Sequence, residues 1–201
     1  RSCISPAAPV AKCVRVTYDT TVLFDEMSNG GGIACDIENA VRMNADCMAV
    51  QTFIGAPGES RSLELLCRTA DAGARYGIPT LGVVAVGKQM ERTEKFFQLA
   101  TRVLAENGAN VVKSYYCDGF ERVAAACPVP IVIAGGKKLP ELEALEMAYR
   151  AIAEGARGVD MGRNIFQSDC PAGMAQAIGK VVHGGYTAQQ AFEVYQEIKN
   201  A

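Results

Sequence analysis

The stretch Asn107-Gly-Ala-Asn-Val-Val-Lys-Ser-Tyr-Tyr116 (NGANVVKSYY) contains a helix stop followed by a strand pattern. A glycine directly after a helical pattern commonly ends the helix, because glycine adopts the left-handed conformation at no steric cost. The valines and tyrosines that follow favour extended backbone and predict a buried strand over Asn110–Tyr116. Lys113 lies in the middle of this strand, where an unpaired ammonium would be costly to bury. Lys113 is therefore the first candidate for a functional residue.

The same combination of a helical pattern and an apolar strand recurs along the chain. The predicted strands are Lys12–Tyr18, Cys47–Ile54, Thr80–Val86, Asn110–Tyr116, Pro130–Ala134 and Gly158–Ile165. The predicted helices are Ser60–Tyr76, Glu91–Asn107, Pro140–Glu154, Pro171–His183 and Ala188–Lys199. The repeat is roughly 20–35 residues long, which is the length of a strand with its crossover helix.

The predicted strands are continuously apolar, which indicates a parallel sheet covered on both faces. An α/β fold follows, either an eight-stranded (β/α)₈ TIM barrel or an open doubly wound sheet. Glycine-rich loops after the last two strands favour the barrel. A full barrel has two strands more than the six found here. We therefore expect residues 1–201 to form a single barrel domain that is N-terminally incomplete, with its first two βα units missing.

Composition excludes several classes of function. The 201 residues are 49% hydrophobic and carry a net charge of −2, which argues against a nucleic-acid-binding surface. No apolar run approaches the ~18 residues that span a bilayer, so no membrane partner is expected. The eight cysteines are scattered without a C-x-x-C pair, and the sequence shows no signal peptide. These features predict free thiols in a cytoplasmic protein.

Lys113 has a position that suits covalent chemistry. Side chains alternate along a strand, so Val111, Lys113 and Tyr115 share one face, and Val112 and Ser114 share the other. In a barrel one of these two faces points into the interior, where a lysine near the end of the strand would stand among catalytic groups. Desolvation lowers the pKa of a lysine and leaves an amine that can attack a carbonyl and form an imine. The alternative is a lysine that extends from an edge strand into solvent, or one that pairs with a carboxylate such as Asp160.

Two glycine-containing loops follow consecutive strands. Gly135 and Gly136 follow Ile131–Ile133, and Gly162 and Arg163 follow the next strand. Backbone N–H groups at glycines can approach a phosphate closely, and arginine binds phosphate through two parallel hydrogen bonds. We call these four residues the phosphate cup. The alternative is a pair of ordinary βα turns.

Other candidates are weaker. Gly82–Lys88 matches the start of a P-loop, but Gln89 stands where serine or threonine holds magnesium. His183 is the only histidine, so a histidine-rich zinc site is not predicted, and no metal is expected. Cys117 is interpreted as a packed thiol rather than a reactive one.

Three segments carry a resemblance to a known family: Asn110–Val123 (NVVKSYYCDGFERV), Cys127–Ile152 (CPVPIVIAGGKKLPELEALEMAYRAI) and Gly155–Ser168 (GARGVDMGRNIFQS). Together they resemble the archaeal-type class I aldolase family. The resemblance implies a (β/α)₈ barrel without a bound cofactor, a Schiff-base lysine at Lys113, and a phosphate site at Gly135, Gly136, Gly162 and Arg163. It also implies a homo-oligomer, a ring that is typically a decamer.

Within the family, the sequence is most similar to a thiolase branch. The substrate there is a phosphorylated diketone derived from autoinducer-2, and coenzyme A is the co-substrate that accepts the acetyl group. The aldolases carry a tyrosine acid/base at the end of strand five, where this chain has Val86, Gly87 and Lys88. Ala134 stands where many relatives have serine, and the Asp-His pair of the family's first strand has no counterpart. A class I aldolase acting on a sugar phosphate and a non-catalytic phosphate-binding barrel are the alternative functions.

Overall fold

The computed structural model describes residues 10–19, 29–86 and 91–201. Their elements in chain order are β1 (Cys13–Arg15), β2 (Thr17–Tyr18), β3 (Gly32–Ile33), α1 (Ile37–Arg42), β4 (Cys47–Thr52), α2 (Glu59–Tyr76), β5 (Thr80–Val84), α3 (Glu94–Glu106), β6 (Val111–Tyr115), α4 (Phe120–Ala126), β7 (Ile131–Ala134), α5 (Glu141–Ala153), β8 (Gly158–Asp160), α6 (Arg163–Phe166), α7 (Pro171–Gly184) and α8 (Ala188–Asn200). The described residues up to 91, together with 99–112, form one compact unit, the first unit. Residues 92–98 and 113–201 form the second unit.

The first unit contains a parallel sheet in the order β1–β4–β5. Strands β4 and β5 pair from Met48 opposite Thr80 onward. Helix α2 covers these two strands and buries Leu65 and Leu66 almost completely. The helix ends at Gly77, which has a φ of 72° and donates its N–H to the carbonyl of Gly73. A short antiparallel ribbon of β2 and β3 completes this unit among the residues described.

The second unit carries strands in the order β6–β7–β8, although the first two residues of β6 belong to the first unit. β7 and β8 are parallel, with Val132 opposite Gly158 and Ala134 opposite Asp160. Helices α5, α7 and α8 pack against one another, and Tyr195 of α8 is only 1% exposed. The buried face of α5 consists of Leu145 and three alanines, Ala144, Ala148 and Ala151, whose small side chains permit close packing of these helices.

All six predicted strands and all five predicted helices are present, and most differ from the predictions by a few residues at their ends. The alternation of parallel strands and helices confirms the α/β class of fold. The expectation of a single barrel domain that lacks two βα units stays a prediction.

Two predicted strand boundaries are wrong. The strand predicted over Gly158–Ile165 ends at Asp160, because the carbonyl of Gly162 accepts hydrogen bonds from the N–H groups of Ile165 and Phe166 and begins the helical turn α6. The strand predicted over Lys12–Tyr18 divides at Val16, whose N–H donates to β4 and whose carbonyl accepts from residues that follow β3.

Free thiols are confirmed at Cys35, Cys47, Cys67, Cys117 and Cys170. Among the residues that the structure describes, no helix combines the length and apolar character needed to cross a bilayer.

Candidate functional site

Lys113 lies on the more open face of β6. Val112 and Ser114 point to the opposite face and are completely buried, whereas Val111, Lys113 and Tyr115 are half-buried. The Lys113 side chain is 23% exposed. It is therefore less desolvated than the sequence predicted.

The amine of Lys113 forms an ion pair with Asp160, the last residue of β8. Its Nζ lies 2.8 Å from Oδ2 of Asp160, whose side chain is 48% exposed. The pairing that the sequence offered as the alternative to covalent chemistry is thus confirmed. It is compatible with catalysis, because a carboxylate in contact with Nζ can accept the proton that the amine must lose before it attacks a carbonyl. A partly solvated pair of this kind contributes about 0–1 kcal/mol to stability. Its main consequence is to fix the position of the amine.

The ion pair spans β7, because β6 and β8 lie on either side of that strand. Asp160 is directly opposite Ala134 in the parallel ladder, and residues paired in this way share a face of the sheet. Gly135 follows Ala134, and Gly162 lies two residues beyond Asp160. The ladder thus brings Lys113 and the two glycine loops to one end of the same three strands.

The two glycines after β7 are required for different reasons. A Cβ added to Gly135 would lie 2.9 Å from Nδ2 of Asn164 and 3.1 Å from Cγ of Met161, so no side chain fits there. Gly136 has open space around its Cα, but its φ of +63° is in the left-handed region, which favours glycine. Among the described residues, the N–H groups of Gly136 and Lys137 donate to no protein acceptor. They are available to a ligand.

Gly162 and Arg163 form the beginning of the turn that follows β8. Both residues are exposed, and Arg163 is the first residue of α6. Its guanidinium makes no ion pair or hydrogen bond with any residue in the described part of the chain. The predicted phosphate cup therefore presents an accessible guanidinium beside accessible backbone donors.

Sequence reasoning missed two residues at this site. Asn164 is completely buried and forms hydrogen bonds with the loop after β7. The signal for it was an amide side chain between Arg163 and the two apolar residues of the same helical turn. Arg92 places its guanidinium 4.2 Å from the ring centroid of Tyr115, on the Lys113 face of β6. This is a cation–π contact that no local pattern indicates.

A family model described as "DeoC/LacD family aldolase" matches residues 11–168. The chain belongs to the DeoC/LacD family of aldolases. The resemblance to class I aldolases inferred from the three sequence segments is thereby confirmed.

Curated relatives of this aldolase-family chain are similar along its whole length. It is 51% identical over 200 residues to the 3-hydroxy-5-phosphonooxypentane-2,4-dione thiolase of Enterobacter sp. (strain 638), covering 99% of this chain and 67% of the relative. The thiolase of the same name from Salmonella typhimurium is 49% identical over 201 residues, covering 100% and 68%. An uncharacterized aldolase of Pasteurella multocida is 50% identical, covering 99% and 68%. The chain spans about two thirds of the length of these relatives.

Solved aldolase structures share the fold. An archaeal fructose 1,6-bisphosphate aldolase superposes with a TM-score of 0.79 at 25% identity, covering 88% of this chain and 72% of that one. A fructose-bisphosphate aldolase from Slackia heliotrinireducens gives a TM-score of 0.81 at 20% identity, covering 94% and 67%. These likenesses confirm the (β/α)₈ class of fold predicted from the sequence.

Two weaker candidates in this aldolase-family chain, Cys117 and Gly82, have structural explanations. Burial raises the pKa of the Cys117 thiol to about 11, with Glu94 and other nearby carboxylates adding to the effect. A thiol of this kind is mostly protonated at neutral pH, which agrees with its interpretation as unreactive. Gly82 lies in β5, where a Cβ would meet Leu104 at 2.9 Å and Ala109 at 3.0 Å, so packing explains this glycine.

The position of the family's missing tyrosine is only partly described. Val86 is half-buried just after β5, whereas Gly87, Lys88 and Gln89 lie outside the described residues. Among the residues that are described, no three His, Cys, Asp or Glu side chains are grouped closely enough to hold a metal ion.

Proposed function

We propose that the chain is a lysine-dependent thiolase, which cleaves 3-hydroxy-5-phosphonooxypentane-2,4-dione with coenzyme A to acetyl-CoA and dihydroxyacetone phosphate. One observation carries the proposal. The amine of Lys113 is held 2.8 Å from Asp160, at the strand ends that bear the phosphate cup, in a chain 51% identical to a thiolase of that name.

The phosphate cup would bind the substrate's phosphate dianion. Arg163 supplies a charged donor, and the glycine loops supply backbone N–H groups in accessible positions. Binding at the phosphate does not change during the reaction, so its role is to place the remote carbonyl against Lys113.

Asp160 would prepare Lys113 for attack. A salt-bridged lysine is an ammonium and must lose a proton before its nitrogen can attack a carbonyl. The Asp160 carboxylate, in direct contact with Nζ, is the group positioned to accept that proton. Attack on C4, the carbonyl next to the phosphate-bearing carbon, gives a carbinolamine. Loss of water from it gives a protonated imine.

The imine then serves as an electron sink. The coenzyme A thiolate attacks C2, the C2–C3 bond breaks, and its electron pair passes through C3 and C4 to the imine nitrogen. The products of this step are acetyl-CoA and an enamine. Protonation of the enamine at C3 and hydrolysis release dihydroxyacetone phosphate and the free Lys113 amine. In a second version, the Lys113 ammonium only polarises the C4 carbonyl and stabilises the enolate that forms.

Borohydride trapping distinguishes these two versions. Substrate, coenzyme A and chain are mixed with borohydride, and the labelled peptide is mapped by mass spectrometry while acetyl-CoA is measured in parallel. We expect reduction of an adduct at Lys113 and no acetyl-CoA from Lys113→Ala. The matched control is Lys180→Ala, which removes an exposed lysine of α7. Acetyl-CoA formation with an unmodified Lys113 would support the version in which Lys113 only polarises the carbonyl. If the unsubstituted chain formed no acetyl-CoA, the thiolase proposal would be contradicted.

A class I aldolase acting on a sugar phosphate is the second candidate. The family match and the fold shared with fructose-bisphosphate aldolases favour it, whereas Val86 at the position of the acid/base tyrosine argues against it. An aldolase would cleave its substrate without coenzyme A. A chain that binds phosphate esters but forms no product would instead be a non-catalytic phosphate-binding barrel.

Assembly and location follow from the proposed activity. We expect the thiolase to form a ring-shaped homo-oligomer, as the family resemblance implies, with size-exclusion chromatography coupled to light scattering as the measurement. We also expect it to act in the cytoplasm, where coenzyme A is available as a co-substrate.

A further inference from the structure

We propose that Asn164 is a positioning residue that holds the two loops of the phosphate cup together and thereby sets the affinity for phosphorylated substrates. This inference rests on the proposed function, because it assumes that the cup binds the substrate's phosphate. Asn164 itself does not contact the phosphate in this proposal. It acts through the backbone of the loop Gly135–Leu139.

Both polar atoms of the Asn164 side-chain amide form hydrogen bonds with that loop. Its Nδ2 donates to the carbonyl of Gly135 at 2.7 Å, and its Oδ1 accepts from the N–H of Leu139 at 2.8 Å. The side chain is completely buried. One amide therefore fixes the first and last residues of the loop, while the N–H groups of Gly136 and Lys137 between them stay available.

Asn164 is also part of the second loop of the cup. It directly follows Arg163 in α6, a turn closed by hydrogen bonds from Ile165 and Phe166 to the carbonyl of Gly162. A side chain bound to one loop and a backbone built into the other couple the positions of both. The separation between Arg163 and the N–H groups of the first loop is then set by Asn164.

The chemistry of an amide is required at this position. A buried polar group is costly unless it is hydrogen-bonded, and both amide atoms of Asn164 are used. Aspartate has the same shape but would place a carboxylate oxygen against the carbonyl of Gly135, which is repulsive. An aliphatic residue would leave the Gly135 carbonyl and the Leu139 N–H without partners. The closeness of Gly135 to Asn164 Nδ2, which excludes a Cβ, shows that the loop lies directly on the amide.

The test compares Asn164→Asp and Asn164→Ser with Asn107→Ala as the matched control. Asn107 is a partly buried amide of the first unit that also makes two side-chain hydrogen bonds, to the carbonyl of Val103 and from Cys67. Binding of inorganic phosphate and of dihydroxyacetone phosphate is measured by calorimetry on folded protein. Borohydride trapping with dihydroxyacetone, which has no phosphate, reports on Lys113 independently of the cup. Thermal unfolding of each variant is followed by circular dichroism.

We expect Asn164→Asp to weaken binding of both phosphate probes about tenfold or more, since one lost hydrogen bond with added repulsion is worth at least ~1.4 kcal/mol. Trapping with dihydroxyacetone should change less than about twofold. Asn164→Ser, which can retain one loop contact, should fall between Asn164→Asp and the unsubstituted chain. Asn107→Ala should lower the unfolding temperature without weakening phosphate binding.

Equal phosphate affinity in the Asn164 variants and the unsubstituted chain would overturn the inference. An equal loss of trapping with dihydroxyacetone would also overturn it, because it would indicate general damage to the site. If Asn164→Asp does not fold, Asn164→Ser alone decides by the same two measurements. None of these measurements requires coenzyme A, so an Asn164-dependent phosphate site without acetyl-CoA formation would support the inference while the thiolase proposal failed.

Discussion

Two lysines, one in each unit, illustrate what distinguishes a structural amine from a candidate catalytic one. Lys12 of the first unit is only 8% exposed, and its Nζ donates to the carbonyl of Met43 at the C-terminal end of α1. Lys113 of the second unit is less buried, yet its Nζ is held by the carboxylate of Asp160 beside the phosphate cup. Burial alone would select Lys12. The partner of the amine and its place at a strand end are the informative features.

The comparison is tested most directly by removing each amine. Lys113→Met should lower acetyl-CoA formation by about 10³-fold or more, because the covalent step or the carbonyl polarisation is lost. Its unfolding temperature should change little, since the ion pair is partly solvated. Lys12→Met should retain activity and lose about 1 kcal/mol of stability, because the Met43 carbonyl loses its donor. Steady-state assays and thermal unfolding measure both effects. The comparison would be broken by an active Lys113→Met variant.

The carboxylates near the two lysines give a second, smaller contrast. Asp160→Asn should lower the rate of borohydride trapping about 10²-fold, because it removes the proton acceptor for Lys113. Asp46 accepts from the backbone N–H of Lys12 at 2.7 Å, so Asp46→Asn should affect stability and leave trapping unchanged. The rates of borohydride trapping are measured by quenching the reactions and analysing them by mass spectrometry. An unchanged trapping rate in Asp160→Asn would show that Asp160 only positions the amine.

Glycines without room for a Cβ provide a third contrast between the units. Gly135→Ala should raise the KM for the phosphorylated substrate about tenfold, because the Cβ would press on the buried Asn164 amide and displace the loop. Gly82→Ala should cost about 1–3 kcal/mol of stability by overpacking against Leu104, with little effect on KM. Steady-state kinetics and denaturant unfolding distinguish the two. A similar KM in both variants would argue against a phosphate-binding role for the loop.

The smallest expected effect concerns Tyr116, which directly follows β6. Burial and the nearby Glu154 raise the pKa of Tyr116 to about 12, and its hydroxyl donates to Glu154 at 2.8 Å. Because folding raises the pKa of Tyr116, the contribution of this residue to the free energy of unfolding is fully present below pH 10. It is lost as pH rises from about 10 to 12. Tyr116→Phe should therefore lose less stability than the unsubstituted chain between pH 10 and pH 12, and its activity should be unaffected. Urea unfolding at pH 8 and pH 11 checks this, and an identical pH dependence in the variant would contradict the assignment.

Local sequence features were sufficient to predict most of the fold. Valine-rich runs and glycine stops located the strands of the parallel sheets, because strand and helix preferences act between residues close in the chain. They did not predict β3, a two-residue strand that forms only by pairing with β2. The strand predicted over Gly158–Ile165 was too long, since only the turn at Gly162 shows where pairing with β7 stops. The sequence also named the single residues of the candidate site, Lys113, the glycine loops and Arg163, whose roles stay predictions.

What the sequence by itself determined was the α/β repeat, the family and the residue types suited to imine chemistry and phosphate binding. Only the tertiary structure decided that Lys113 pairs with Asp160 rather than extending into solvent, that Asn164 joins two loops, and that Arg92 lies over Tyr115. The physical reason is that strand and helix preferences are short-range, whereas these contacts depend on strand register and loop position. A register shift of one residue would turn Asp160 to the other face of the sheet and separate it from Lys113.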